Sequence, residues 1–249
     1  MNDFLVELLN KIHIIQKEFG ENIDSRYDEL ITMIEHSLYC IESFLQIDTN
    51  EDESIFVLYE LISRAHKTTH ALMLLSYSGF ELQSFSLIRD LIETHYLIVY
   101  FMKKPEEMKN WFNSDYKERR NKYSPNTLRK VIAGDNSTFK QALDDDYYGH
   151  STFTHITPEL LKIQKGTNDN KDENIDRRFV RLCLTEIAYH VIPIAYESSN
   201  LGLKITKDVI FNKNISKLKK LTKTMSFYQM ICFSTLSEYL EKGSKESKI

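Results

Sequence analysis

The sequence predicts an all-α protein, a multi-helix bundle built around a long central antiparallel helical hairpin. Glycine and proline are scarce, with 7 and 4 among 249 residues, which disfavours sheets joined by many tight turns. Apolar residues recur three and four positions apart along most of the chain, which is typical of helices with one buried face. No segment shows convincing strand alternation. We expect a single domain over residues 1–249 with about nine or ten helices.

Turn-prone and capping residues delimit the helices of the first half. Gly20 follows the apolar repeat of the first helix as a stop, and Ser54 is a favoured type of N-cap for the third. Only Ser78 and Gly79 separate the third helix from the fourth, and so short a connection implies antiparallel neighbours. Residues 54–104 therefore form the predicted central hairpin. In chain order, these helices cover about residues 3–19, 25–46, 54–77 and 80–104.

Proline marks the openings of three shorter helices. Pro105, Pro125 and Pro158 each suit a first helical turn, because the N–H that proline lacks has no intrahelical partner there. Acidic residues follow Pro105 and favour the positive end of the helix dipole. Gly134 is expected to end the helix that opens at Pro125.

The C-terminal part alternates connections and long helices. Residues 144–154 are rich in aromatic and histidine side chains, and we expect an ordered loop there. Residues 165–174 are polar and turn-prone, which makes them the best candidate for an internal linker. Two long helices are predicted beyond it, at about residues 175–201, closed by Gly202, and at about residues 215–241.

Composition limits the classes of partner and the compartment. The net charge of −4 provides no global basic signature for nucleic acid, although basic residues cluster at residues 117–130 and 204–223. Three widely spaced cysteines without a C-x-x-C pair are typical of reduced, buried thiols. No signal peptide is recognisable, and no apolar run reaches the roughly 18 residues that a membrane span needs. We therefore expect a cytoplasmic protein that does not enter the membrane.

The helix around residues 87–102 is the strongest candidate for a functional site. It is almost entirely apolar, yet it carries four ionisable side chains, those of Arg89, Asp90, Glu93 and His95. Burying ionised side chains is costly unless they are paired or used in chemistry. We therefore expect this helix to line a cleft or to hold a paired network.

The antiparallel hairpin brings further polar residues to the same level. Counted from the turn, His70 lies level with Arg89, and His66 lies level with Glu93. Each helix contributes residues four apart, which share one helix face, and Arg89 can pair with Glu93. This cluster can perform acid–base or phosphate chemistry, or it is a buried Arg–Glu–His network that locks the register of the hairpin.

His66 and His70 also have the spacing of metal ligands on a helix, and Glu93 or His95 could supply a third ligand. The sequence lacks a His-Glu-x-x-His motif and the paired Glu-x-x-His repeats of di-iron bundles. We expect an incomplete ligand shell here, with no bound metal and no obligatory cofactor.

The predicted loop contains a second group of candidate residues at positions 147–155. Functional side chains concentrate in loops held by rigid scaffolds. Ser151 and His155 could form a nucleophile–base pair, but neither a nucleophile elbow nor an oxyanion element is recognisable. We expect this loop, with His150, to form a wall of the cleft beside Arg89, or to be a packed connection in which His155 caps the next helix.

One spacing resembles a known superfamily. Arg89, followed by a polar residue and, after five intervening positions, by His95, resembles the motif of HEPN domains, which are all-α. Arg89, Leu91 and Glu93 are also similar to the R-x-L-x-E signature of a set of uncharacterised bacterial helical domains. The resemblance covers roughly residues 54–112.

HEPN domains often act as metal-independent ribonucleases or defence toxins. The resemblance implies that His95 takes the proton from a ribose 2′-hydroxyl, that Arg89 stabilises charge developing on the phosphate, and that Glu93 completes the set. It implies RNA as the substrate and a role in stress response or phage defence. A homodimer interface running along this helix could bring His95 into a shared cleft. The main alternative is a non-catalytic helical interaction or regulatory module, and the next is a small-ligand or metal-binding bundle.

Overall fold

The computed structural model describes residue 13 and residues 25–46, 52–78, 80–154, 177–206, 211–212 and 215–225. Every regular element in this part of the chain is helical, which confirms the predicted all-α bundle. Residues 215–225 form a helical segment after the last element with defined bounds. The helices are α1 Ser25–Phe44, α2 Glu53–Tyr77, α3 Glu81–Lys103, α4 Glu107–Asn113, α5 Tyr116–Lys122, α6 Pro125–Ala133, α7 Ser137–Thr154 and α8 Arg177–Thr206.

Local capping explains where several helices begin and end. The side chain of Asp52 accepts a hydrogen bond from the N–H of Ser54 at 2.7 Å, so the cap of α2 lies two residues before the predicted one. Ser124 accepts a backbone N–H of the first turn of α6, and Pro125 opens that helix as predicted. Gly134 ends α6 with a φ of 58°, a left-handed value that favours glycine.

Helix α8 lies at the centre of the packing. It packs against α1, α2 and α3, while α2 packs along α3 and α7 packs against α3 and α6. Thr68 of α2 donates to Asp90 of α3 at 2.9 Å, and Ser76 contacts Ser84 at 3.4 Å, which is the register of antiparallel neighbours. The pair formed by α2 and α3 is therefore covered by a long helix from the C-terminal part of the chain.

Aliphatic and aromatic side chains fill the space between these helices. Cys40 and Cys183 are both buried, as the cysteine pattern predicted. None of the helices that the structure describes has the length and apolar character needed to cross a lipid bilayer. The largest fully buried apolar side chains include Ile34, Ile41, Leu58, Ile62, Leu72, Ile88, Leu91, Ile92, Tyr96, Phe101 and Phe211.

The predicted loop at residues 144–154 is wrong, because these residues form the C-terminal part of α7. Leu143, Asp146, Tyr147 and His150 are all buried, and their spacings of three and four place them on one helix face. The sequence predicted a loop because the segment is polar and contains a glycine, and these features outweighed the helical spacing of its buried residues. The correction matters because it puts Asp146 and His150 on a regular scaffold.

The predicted end of the long helix at Gly202 is also wrong. Helix α8 continues to Thr206 and contains Pro193 in its interior. Gly202 allows the backbone of α8 to lie close to the ring of Phe211, since a Cβ atom at this position would be 2.3 Å from the nearest ring carbon. The glycine signal was correct in marking an unusual position, but the position is a packing contact within a helix.

Several predictions lie outside the described residues. They are the helix at about residues 3–19 apart from the helical His13, the helix opening at Pro158, the linker at residues 165–174, and the last helix beyond residue 225.

Candidate metal centre

Two helices each contribute one acid and one histidine to a buried cluster. Asp146 and His150 lie four residues apart on α7, and Glu186 and His190 lie four residues apart on α8, so each pair shares a helix face. We call these four residues the core cluster. Their side chains range from 0% exposed for His190 to 14% for Glu186. Ionisable groups at this depth need internal partners.

In both histidines the Nδ1 atom has a close partner other than a carboxylate, although Nδ1 of His150 also lies 3.7 Å from Oδ1 of Asp146. Nδ1 of His150 lies 2.8 Å from the backbone carbonyl oxygen of Asp146, which can only accept, so this nitrogen carries a proton. Nδ1 of His190 lies 3.2 Å from Nδ1 of His95. The opposite nitrogens, Nε2 of His150 and Nε2 of His190, are buried and have no hydrogen-bond partner among the described residues. They are the least satisfied atoms of the cluster.

These two nitrogens face the carboxylates at distances too long for good hydrogen bonds. Nε2 of His190 lies 3.7 Å from Oδ1 of Asp146 and 3.9 Å from Oε2 of Glu186. Nε2 of His150 lies 3.5 Å from the same Glu186 oxygen. N–H···O bonds are typically about 2.7–3.2 Å long. Two ligands of one tetrahedral Zn²⁺ are about 3.4 Å apart. Ligand atoms of Asp146, Glu186 and His190 all lie within 4.8 Å of one another, which is compatible with a shell of three protein ligands.

A second layer of side chains orients the core cluster. The hydroxyl of Tyr96 donates to Oδ2 of Asp146 at 2.9 Å, which leaves Oδ1 directed at the histidines. Burial, followed by repulsion from His190, lowers the pKa of His95 to about 3 against the attraction of Asp146. The neutral His95 can therefore accept the Nδ1 proton of His190. A second hydrogen bond of this kind usually holds metal-binding histidines in place.

The two acids of the core cluster have different electrostatic surroundings. Burial disfavours the charge on Asp146, but attraction by His190 and His150 lowers its pKa to about 2. Burial raises the pKa of Glu186, as does repulsion from Asp146, whereas the two histidines oppose this shift. Asp146 therefore keeps its negative charge firmly, and a cation in the cluster would favour the ionised form of Glu186 as well.

The catalytic set predicted from the sequence is divided between two places. Nε of Arg89 lies 3.2 Å from Oε1 of Glu93, the predicted pairing, and Arg89 also donates to the Tyr147 hydroxyl at 2.6 Å. The side chains of Arg89 and Glu93 are 25% and 40% exposed, so this pair is not the buried network considered above. His95 instead contacts His190 of the core cluster. The structure shows Arg89 with Glu93, and His95 with a different set of partners.

Asp90 lies in a groove lined by residues of α2, α3 and α4. The groove has a volume of about 580 Å³, and Glu93 and Trp111 are among its lining residues. Asp90 pairs with Arg64 of α2 and accepts a hydrogen bond from Thr68 at 2.9 Å. Its carboxylate therefore joins α2 to α3.

His66 and His70 meet a third residue that the sequence did not indicate. Nε2 of His66 lies 3.2 Å from Nε2 of His70 and 3.1 Å from Oε1 of Glu42 in α1. The carboxylate in contact is therefore that of Glu42, whereas Glu93 and His95 have the partners described above. Burial, followed by repulsion from His66, lowers the pKa of His70 against the attraction of Glu42.

In the second candidate region, the two described residues His150 and Ser151 have different partners. His150 belongs to the core cluster, and Ser151 donates to the backbone carbonyl of Tyr147 one turn earlier at 2.9 Å. His155 lies outside the described residues. The pairing of Ser151 with His155 stays a prediction.

Three members of the core cluster, Asp146, Glu186 and His190, lie outside the sites predicted from the sequence. The signal that could have found them is a repeated pattern, an acid followed four residues later by histidine, at positions 146 and 186. This pattern places two donors on one face only if the segment is helical. The interpretation of residues 144–154 as a loop therefore hid the first half of the site.

Comparison of the chain with protein-family models, curated proteins and solved structures found no match. The function has to be inferred from the geometry and chemistry of the side chains.

Proposed function

We propose that the protein binds one divalent transition-metal cation in the core cluster, between α7 and α8. The observation that carries this proposal is the convergence of Asp146, Glu186 and His190 around a buried Nε2 atom of His190, which has no hydrogen-bond partner in the described part of the chain. A buried polar atom without a partner calls for an explanation such as a bound ion. One cation would satisfy Nε2 of His190 and both acids, with Nε2 of His150 beside the Glu186 carboxylate.

The donor set favours particular metals. Two imidazoles and two carboxylates suit zinc, iron(II), cobalt or manganese, whereas magnesium and calcium prefer oxygen ligands alone. The ligand atoms of Asp146, Glu186 and His190 all lie within 4.8 Å of one another, and Nε2 of His150 reaches the same Glu186 oxygen. Zinc binds nitrogen and oxygen ligands in a tetrahedral shell, to which Asp146, Glu186 and His190 would supply three. We therefore propose zinc as the first metal to test.

The proposed role of the cation is to join two parts of the bundle. Helix α7 packs against α3 and α6, whereas α8 packs against α1, α2 and α3. A cation held by both α7 and α8 would connect the helices that pack against α7 with those that pack against α8. It would also neutralise two buried carboxylates. Metal binding to a preformed cluster stabilises the folded state, because the unfolded chain does not hold the ligands together. We expect the metal-free protein to unfold at a lower temperature.

The test is the metal content of the purified full-length protein, measured together with its thermal unfolding. Wild type incubated with Zn²⁺ and passed through gel filtration should retain one slowly exchanging equivalent, and Glu186→Gln should lose it. Glu197→Gln is the matched control, because Glu197 lies on the same helix and burial also raises its pKa. Cobalt substitution offers an independent readout, since the visible absorption of Co²⁺ reports tetrahedral nitrogen and oxygen ligation.

Two outcomes would reject the metal centre. One is a wild type that retains no metal after exposure to Zn²⁺ or Co²⁺. The other is equal retention of slowly exchanging metal by wild type, Glu186→Gln and Glu197→Gln. His190→Ala removes a ligand without removing a carboxylate, so it keeps the proposal testable if Glu186→Gln does not fold.

We propose the ribonuclease implied by the HEPN resemblance as a second candidate. The observation in its favour is the guanidinium of Arg89, which is partly exposed and positioned by the Tyr147 hydroxyl and Glu93. A partly exposed, well-held guanidinium suits a phosphate group. This activity requires a general base beside Arg89, supplied by movement of His95 away from His190 or by a second copy of the chain. It needs no metal, which distinguishes it from the first proposal.

A further inference from the structure

We infer that Glu42, His66 and His70 form a second site for a transition-metal cation, on the surface where α1 meets α2. The site shares no residue with the core cluster and does not depend on it. His66 and His70 lie one helical turn apart on α2, so their rings share a face, and Glu42 reaches them from the neighbouring helix.

The three ligand atoms converge on one point. Nε2 of His66 lies 3.1 Å from Oε1 of Glu42 and 3.2 Å from Nε2 of His70. The two rings are 4.5 Å apart between centroids and inclined at 72°. All three atoms lie within 4.8 Å of one another, as they do in the core cluster. Spacings of 3.1 and 3.2 Å are close to the ~3.4 Å between two ligands of a tetrahedral zinc ion.

Hydrogen bonding alone does not satisfy this arrangement. A neutral imidazole has one donor and one acceptor nitrogen. If Nε2 of His66 carries the proton, it can donate to Glu42 or to Nε2 of His70, but the other contact is left without a hydrogen. If it lacks the proton, its lone pair faces the Glu42 carboxylate. A cation about 2.0–2.1 Å from all three atoms satisfies them together.

The donor set and the exposure define the class of cation. Two imidazoles and one carboxylate favour Zn²⁺, Ni²⁺ or Cu²⁺ over Mg²⁺ and Ca²⁺. The Glu42 side chain is 52% exposed and that of His66 is 20% exposed, so water can occupy the remaining coordination positions. A cation here would exchange rapidly with solvent, in contrast to one held in the buried core cluster. Bound metal would also clamp α1 to α2.

The test is calorimetric titration of the full-length protein with Zn²⁺, followed by brief treatment with a weak chelator. We expect a rapidly exchanging equivalent that His70→Ala weakens about tenfold or more, with a smaller loss for Glu42→Gln. His13→Ala is the matched control, because His13 is an exposed, helical histidine outside both clusters. The histidine ring resonances of His66 and His70 should shift on addition of Zn²⁺ in wild type.

The result that overturns this site is equal affinity and equal stoichiometry of Zn²⁺ for wild type, His70→Ala and His13→Ala. Unfolding temperatures measured without metal check that each variant is folded, and His66→Gln provides a second test if His70→Ala is not. Glu186→Gln should remove only the slowly exchanging equivalent. In wild type, absence of the rapidly exchanging equivalent rejects the site at Glu42, His66 and His70, and absence of the slowly exchanging equivalent rejects the core cluster as a metal site. The two metal proposals can therefore fail separately.

Discussion

Arg129 of α6 is almost completely buried, in contrast to Arg89. Its side chain is 1% exposed, and its Nε donates to Oδ1 of Asp144 at 2.6 Å. Its guanidinium lies 4.2 Å from the centroid of the Tyr147 ring, and Nη1 is buried without a hydrogen-bond partner among the described residues. Because water cannot reach this charge, its stability depends on Asp144 and on the aromatic ring.

We expect Arg129→Ala to lower the free energy of unfolding by about 3 kcal/mol, because it leaves Asp144 with Lys140 as its remaining ion-pair partner. Arg89→Ala should cost about 1 kcal/mol or less, since its pair with Glu93 is partly exposed. Urea unfolding of both variants measures the difference. The exposed neighbour Lys130 supplies a control in Lys130→Ala. Equal losses for the two arginine variants would show that burial does not distinguish them.

At the scale of the helices, two glycines have opposite structural roles. Gly149 lies inside α7, and a Cβ atom added there would meet nothing within 4 Å. Gly202 lies inside α8, where an added Cβ would lie 2.3 Å from the ring of Phe211. Phe211 is 2% exposed, so its ring has little room to withdraw. Gly202 is thus required by packing, whereas Gly149 is not.

The two alanine variants should therefore change stability in opposite directions. Gly149→Ala should raise the free energy of unfolding by about 0.5–1 kcal/mol, because glycine weakens a helix interior. Gly202→Ala should lower it by about 1–3 kcal/mol through overpacking against Phe211. Chemical denaturation measures both. A stabilising Gly202→Ala would mean that the contact between α8 and Phe211 is not made.

For the complete protein, the two proposed functions differ in whether they require a metal ion. The metal proposal places a cation among Asp146, Glu186 and His190, whereas the ribonuclease proposal uses side chains alone. His95 takes part in both, as the acceptor for His190 in one and as the general base in the other. Its substitution therefore has to be examined with and without a chelator.

The ribonuclease proposal expects cleavage of single-stranded or folded RNA in the presence of a chelator. His95→Ala should abolish this cleavage because it removes the base, and Arg89→Ala should reduce it because it removes the charge that stabilises the phosphate. His36→Ala, on α1, is a control for loss of an unrelated histidine. Equal RNA turnover by wild type and His95→Ala, or no turnover by wild type, removes this assignment.

Local signals in the sequence determined the class of fold and many helix ends. The apolar repeat predicted helices over the described parts of α1, α2, α3 and α8, because a helical period depends on neighbouring residues alone. Ser124, Pro125 and Gly134 marked both ends of α6 for the same reason. Pairs four residues apart, such as Arg89 with Glu93, were also predictable, since a single helix brings them together.

Which helix faces meet depends on how the helices pack against one another, which the sequence pattern did not predict. Glu42 reaches His66 from α1, and Glu186 reaches His150 from another helix, contacts that depend on the rotation and crossing of whole helices. His95 and Arg89 lie about 120° apart around α3, a separation that follows from their spacing in the chain. Packing added the contact of His95 with His190. The partner across the core was decided by packing, because burying the apolar faces of all the helices together sets their rotation.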